Sequence, residues 1–315
     1  MSFSLNTLYK ALDISKQAVH KHLDRNMKQL DLEHQLHFLI SKIRKNHPEM
    51  GMREMYFKIL PEGIGRDKFE QFCRLQNYRV KTAKNYRRTT NSLGVTRFEN
   101  LIKNIKIDKA NQLWQSDITY YEIDGKFCYI TFIQDAFNKV IKGHSTSRGL
   151  STEQITLPAI QMALKKRKNR NVEGLIFHSD GGGQYYDKAF LTLTGSRGII
   201  NSMCEYPWDN GMAESLNGVI KNKYLRHHNI KSFLELQKQV DRTVALYNQD
   251  KPHSRLGRMT PNEFEKKWIY LQGRTKAKMT ESFDTEHQMK GALSPNHLSQ
   301  TKTQNQDVFS ANKNL

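Results

Sequence analysis

The amino-acid sequence predicts an α/β protein in which a mixed five-stranded sheet is flanked by helices and preceded by an all-α region. Three observations carry this. Residues 111–150 contain three consecutive short segments rich in β-branched and aromatic residues. After Ser151, apolar segments of helical and strand character alternate, which suits a three-layer core. Before residue 76, apolar residues recur at helical spacing.

The first element follows from Leu5, Leu8, Leu12, Ile14, Val19 and Leu23, which fit two short helices broken near Asp13, with Ser15 as N-cap of the second. Such a pair over residues 1–30 reads as a helix-turn-helix whose second helix can offer Lys16, Gln17, His20 and Lys21 to a major groove. A helical hairpin that only packs would show the same spacing. Residues 31–80 read as a second helical block, with Leu36, Leu39, Ile40 and Ile43 in register and Pro48, Gly51, Pro61 and Gly63 as punctuation. Residues 81–110 read as a basic connector containing Arg87 and Arg88. The stretch from Tyr78 to Lys109 holds nine Lys and Arg against Glu99 and Asp108, so it is either a phosphate-neutralising segment or a soluble linker.

The mixed core is expected over residues 111–271. Its strands are LWQSDITYYEI, KFCYITFIQDA, NKVIKGHSTS, GLIFHS and GIINSM, the first three antiparallel and turning at Asp124-Gly125 and Phe137-Asn138. Its helices are expected from Ser151 to about Lys168, up to about Arg197, from about Asn210 to Leu225, and from Ser232 to Tyr247. Residues 272–315 turn to Lys, Gln, Asn, Ser and Thr, a composition with too little apolar surface to fold alone.

Charge narrows the partners. The 315 residues include 50 Lys and Arg against 31 Asp and Glu, a net charge of +19, which points to a polyanion. The excess is uneven: +11 in residues 1–110, +6 in 111–270 and +2 beyond. No run of residues is long and apolar enough to span a bilayer, and the first residues lack the pattern of a secretory signal, so a cytoplasmic location is expected. Cys73, Cys128 and Cys204 form no CxxC and read as small buried side chains.

Three acids stand where acids are costly. Asp117 lies inside an apolar strand, Asp180 ends GLIFHS and precedes three glycines, and Glu214 lies early in the helix AESLNGVI. Singly, each reads as a cap or surface ion pair. Together, in so basic a chain, they suggest hard oxygen ligands for Mg²⁺ or Mn²⁺. Two such ions roughly 3.5–4 Å apart suit phosphodiester substitution. His178, at a strand end, reads as structural, with DNA contact the alternative.

WQSDIT, HSDGGGQY and DNGMAESLNG resemble the three signature blocks of the DDE transposase and retroviral integrase superfamily, in particular the second-frame (OrfB-type) transposases of bacterial insertion sequences. HPEMGMR, starting at His47, is similar to that family's second helix-turn-helix segment, LYKALDISKQAVHKHL to its first helical block, and Tyr247–Glu265 to its terminal pattern. The resemblance covers about residues 5–268. It implies a ribonuclease H-like core, a catalytic metal-binding triad of Asp117, Asp180 and Glu214, and two divalent ions. It further implies cleavage at the ends of a DNA element followed by transfer of 3′-hydroxyls into target DNA. Lys221, seven residues after Glu214, shares its helix face with Asn217, and both are expected at the DNA. The family's usual spacing between its second and third acids is two residues longer than the 33 found here, the shortening falling between Met203 and Trp208. The retroviral zinc-binding domain is absent, because His34 and His37 have no cysteine pair to join. Double-stranded DNA, a homo-oligomer at paired ends, a first-frame partner protein and a bacterial, nucleoid-associated location are likewise implied. A ribonuclease H-type nuclease and a DNA-binding regulator are the rival readings.

Overall fold

The computed structural model describes residues 4–80, 98–167 and 172–272. The strands are β1 (Leu113–Ile123), β2 (Lys126–Asp135), β3 (Ile141–Ser147), β4 (Ile176–Ser179) and β5 (Ile200–Met203). They form one sheet in the order β3-β2-β1-β4-β5. The first three are antiparallel, whereas β4 runs parallel to β1 and β5 parallel to β4. This is the ribonuclease H-like arrangement that the sequence predicts.

Two apolar layers hold helices against the sheet. One gathers Trp114, Ile133 and Phe177 with Ala159, Ile160 and Ala163 of α5 (Thr156–Lys166) and Phe190 of α6 (Lys188–Ser196). The other gathers Ile130, Phe132 and Ile141 with Leu216 and Ile220 of α7 (Gly211–Lys223) and Leu236, Val240 and Val244 of α8 (Phe233–Gln249). Strand alternation explains the division, since Phe132 and Ile133 are neighbours in sequence and serve opposite layers. At Gly143 a Cβ would meet the Ala159 carbonyl oxygen at 2.1 Å, so glycine lets α5 lie directly on β3. Helix α5 begins four residues later than a cap at Ser151 suggests, because residues 152–155 form turns and Ile155 is the N-cap.

The N-terminal region is helical throughout: α1 (Leu5–Ala11), α2 (Lys16–Asn46), α3 (Met52–Ile59) and α4 (Arg66–Leu75). Ser15 caps α2 as expected, accepting from the Ala18 amide at 3.1 Å. The boundary expected between residues 30 and 31 lies inside α2, which has no helix-breaking residue there. Only the C-terminal part of α2 packs, with Leu36, Ile40 and Ile43 against Met55, Phe69 and Phe72.

HPEMGMR stands where this helical region meets the core. His47 is buried, with Nε2 2.7 Å from Asp250 and Nδ1 2.8 Å from the Tyr224 hydroxyl. Lys58 donates to Asp250, Lys251 donates to Glu54 at 3.1 Å, and Glu49 accepts from Arg226. The block that resembles a helix-turn-helix segment thus engages Asp250 and Lys251 of the terminal pattern and Tyr224 just after α7. Asn248, also of that pattern, accepts from the Ile141 amide at 2.9 Å and donates to its carbonyl at 3.0 Å, satisfying the start of edge strand β3. Residues 99–101 lie along β5, where the Met203 amide donates to the Glu99 carbonyl at 3.5 Å and Ser202 Oγ donates to the same carbonyl and accepts from the Leu101 amide. Arg87, Arg88 and the remainder of the basic connector up to residue 97 lie outside the described residues, as does the polar tail from residue 273. Among the described residues, no helix is long and apolar enough to cross a membrane.

Burial holds His47 below its ordinary 6.5, although Asp250 pulls the other way. The unfolded chain therefore takes up a proton near pH 6.5 that the native state refuses, and stability falls as pH drops below that value. Burial also lowers His144, His178 and His253, so they add to this slope. His47→Ala should cost about 1–3 kcal/mol in urea denaturation at pH 8, and its stability should decline less between pH 6.5 and 5 than that of the unaltered protein.

Candidate active site

The site starts from strand register. Ser116 of β1 pairs with Ser179 of β4 at the last rung of the parallel ladder, so Asp117 and Asp180 are the next residues on adjoining strands. Such strands lie about 4.8 Å apart. Both acids are half-buried at this end of the sheet. Asp117 accepts from the Ile118 amide at 2.9 Å and from Asn217 Nδ2 at 2.8 Å. Asp180 accepts from the Gly182 amide at 3.2 Å. A Cβ on Gly182 would stand 3.1 Å from Asp180 Oδ1 and 3.0 Å from Gln184 Oε1, so a side chain there would crowd the carboxylate. None of Gly181, Gly182 and Gly183 is among the positive-φ glycines, so close approach and not a left-handed turn is what Gly181, beside Met203 Cε, and Gly182 share.

Beneath the acids lies a hydroxyl network. Tyr185, fully buried, stands 2.9 Å from Ser116 Oγ, and Thr131 donates to the Asp117 carbonyl at 3.1 Å. Burial, reinforced by Asp180, holds the Tyr185 phenol well above its ordinary value and keeps it neutral. Asn210 donates to the Ser116 carbonyl at 3.0 Å and fixes the start of α7 against β1.

The electrostatics follow from this placement. Burial, then Asp180, and to a lesser degree Glu214 push Asp117 up to about 7, while Asn217 and the Ile118 amide oppose the shift. Burial raises Asp180 as well. Two like charges side by side in a low-dielectric edge are the environment a divalent cation relieves. The donors are all oxygens, and Mg²⁺ commonly takes one or two carboxylates together with waters and substrate phosphates, so Asp117 and Asp180 fit it.

The remaining expected residues divide. Glu214 lies in the first turn of α7 within electrostatic reach of Asp117, but is exposed, where its charge is better solvated than beside two buried acids. Among the described residues no three His, Cys, Asp or Glu side chains gather closely enough to hold a metal ion, so the three acids share one region without forming a closed cage. Asn217, expected at the DNA, is instead buried with its amide committed to Asp117, because it falls on the face of α7 that carries Ala213, Leu216 and Ile220. Lys221 lies over the Tyr120 ring with Nζ 4.4 Å from the centroid, and burial lowers its ammonium. Lys16, Gln17, His20 and Lys21 are exposed along the first turns of α2. His178 is buried beside Ser202 Oγ at 3.0 Å and is held neutral by burial at about 4, which is a structural histidine. Sequence reasoning missed Tyr185 and Asn210 as positioning residues, although both lie in quoted blocks, HSDGGGQY and DNGMAESLNG.

Known proteins place this core in a class. Two families, both described as integrase core domain, match residues 108–206 and residues 199–261. An uncharacterized 31 kDa protein of insertion element IS600 from Shigella sonnei is 30% identical over 257 residues, 79% of this chain and 92% of that protein. The transposase for insertion sequence element IS629, also from Shigella sonnei, is 30% identical over 227 residues, 70% of this chain and 75% of its own. The HTLV-2 integrase catalytic core domain, solved in complex with magnesium, is 20% identical with a TM-score of 0.40, covering 49% of this chain and 95% of that one. The chain belongs to the bacterial insertion-sequence transposases of the integrase superfamily.

A carboxyl group raised to about 7 gives the native state a proton that the unfolded chain has lost above about 3.8, so stability falls as pH rises between those values. In EDTA at pH 8, Asp117→Asn should therefore raise unfolding stability by about 2–4 kcal/mol, measured by denaturant titration. A loss of stability at pH 8 would contradict the buried like-charge pair.

Proposed function

We propose that this transposase hydrolyses phosphodiester bonds at the ends of its DNA element and transfers the freed 3′-hydroxyls directly into target DNA, with Asp117, Asp180 and Glu214 as its catalytic acids. The observation that supports this most is the Ser116–Ser179 rung, which sets Asp117 beside Asp180 in an integrase-core chain. Asp117 and Asp180 would hold Mg²⁺ or Mn²⁺, and Glu214 would complete a second ion site from α7. Bound there, the ions supply charge stabilisation for the attacking and leaving oxygens of the substitution.

The chain's own residues prepare that site. Asn217 orients the Asp117 carboxylate, Gly182 donates to Asp180, and the Tyr185 hydroxyl network supports Ser116 behind both. No side chain needs to become a covalent nucleophile. Lys221, parked on Tyr120 next to the α7 face, is suited to meet a phosphate as a point charge. Lys16, Gln17, His20 and Lys21, exposed on the first turns of α2, would read the element end, and Arg87 and Arg88 of the basic stretch in the sequence would add phosphate contacts. Holding two ends together calls for a homo-oligomer, and a first-frame partner protein and a nucleoid location in the bacterial cytoplasm belong to the same reading.

Incubation with Mg²⁺ and a labelled terminal-repeat duplex tests it. Cleavage with joining is expected; cleavage alone would mark a nuclease, and binding alone a regulator. Asp180→Asn should reduce both steps at least about a hundredfold, as expected when roughly 3 kcal/mol of charge stabilisation is lost. Mg²⁺ should also raise the melting temperature of the unaltered protein and leave that of Asp180→Asn nearly unchanged, a readout independent of activity.

A further inference from the structure

The connection from β5 to α7 is short and tied at both ends to the strands that carry the paired acids. The Cys204 amide donates to the Ser179 carbonyl at 3.1 Å, and Asn210 donates to the Ser116 carbonyl at 3.0 Å. Ser179 and Ser116 are the residues immediately before Asp180 and Asp117. Between these anchors, Asp209 Oδ2 accepts from Asn100 Nδ2 at 2.9 Å and from the Glu205 and Tyr206 amides at 3.1 Å each. Lys103 adds an ion pair to Glu205. A loop this heavily bonded is preorganised.

What it presents is unusual for a solvated surface. Tyr206 and Trp208 stack face to face, with centroids 4.7 Å apart and planes 6° from parallel. They remain 50% and 68% exposed. Trp208 is two residues from Asn210, so its Cα lies within about 7 Å of an anchor that itself touches β1. Two flat apolar faces left in water beside acidic groups have no packing role, and their geometry is that of a stacking platform.

We infer that the Tyr206–Trp208 pair binds an unpaired nucleobase of the substrate DNA, next to the phosphate that reacts. The inference rests on the transposase reading above and adds a contact to it. Every base has a π-face, so the platform would hold a splayed base without reading its identity, and would favour DNA whose pairing is already open at the site. A duplex terminus that frays offers such a base; a continuous duplex does not.

The test uses the full chain and two 20-base-pair probes of arbitrary sequence, one fully paired and one with three mismatched pairs at an end, carrying 2-aminopurine in the mismatched strand. The unaltered protein should bind the mismatched probe about tenfold more tightly than the paired probe and quench its 2-aminopurine. Trp208→Phe should keep most of that preference, whereas Trp208→Ala should bring the ratio of affinities towards one and abolish the quench. Trp208 is mostly exposed, so circular dichroism of the alanine variant should match the parent. An unchanged ratio in Trp208→Ala would overturn the inference. So would a change in oligomeric state in sedimentation with the ratio unchanged, which would make the pair a protein contact. Mg²⁺-dependent cleavage and joining of the labelled terminal-repeat duplex by the unaltered protein reads the transposase activity separately: cleavage there without a Trp208-dependent ratio on the probes overturns only the stacking, and the ratio without that cleavage overturns only the chemistry.

Discussion

The constraint on which the site depends is the parallel pairing of β1 with β4. Because Ser116 and Ser179 share a rung, the two aspartates that follow emerge side by side where the ladder ends. A slip of one residue would turn one of them to the opposite face of the sheet. That register is held by more than backbone bonds. Trp114 and Phe177 occupy one rung and bury into the same apolar layer, and Tyr185 reaches back under both strands to Ser116. The cost of the arrangement is visible in Asp117, whose carboxyl group burial and Asp180 hold at about 7. A perturbed carboxyl pair at the ends of adjoining strands costs stability, which is the feature that supports the proposed catalytic role.

Helix α7 and the connections around it are arranged about the same edge. Asn210 fastens its start to Ser116, Asn217 reaches Asp117 from its second turn, and its C-terminal end leads to Tyr224. Tyr224 in turn bonds His47, so the helical region and the acids meet through the ends of a single helix. His47, Glu49, Glu54 and Lys58 on one side and Asp250, Lys251 and Arg226 on the other make that junction polar and directional. Each of these groups has its partner in the opposite part of the chain, which gives the helical region one seating on the core.

Much of this was legible in the sequence, for physical reasons that can be traced. The five strands and the helices packed on them follow from apolar periodicity, and the acids stood out because a carboxylate inside LWQSDITYY is expensive. What sequence could not supply was which polar side chain meets which. HPEMGMR has turn-forming and helix-forming residues that suit a DNA-reading segment, yet its His47 and Glu49 are spent on Asp250 and Arg226, nearly two hundred residues or more away in the chain. Asn217 shares the azimuth of Lys221, but the burial of that face against β1 converts it from an outward contact to a partner of Asp117. The length of α2 escaped although Leu23, Met27 and Leu30 continue its helical spacing without a break, because those side chains are exposed and the packed stripe begins only near Leu36. Tyr206 and Trp208 carried no periodic signal, and only the anchoring of both loop ends shows where they stand.

All of this turns on whether a divalent cation occupies the gap between the paired aspartates. Anomalous diffraction from crystals equilibrated with Mn²⁺ measures it directly, because the ion reports its own position. The account predicts a peak about 2.2 Å from carboxylate oxygens of both Asp117 and Asp180. A protein that joins DNA in Mn²⁺ yet shows no peak beside those two residues would contradict it.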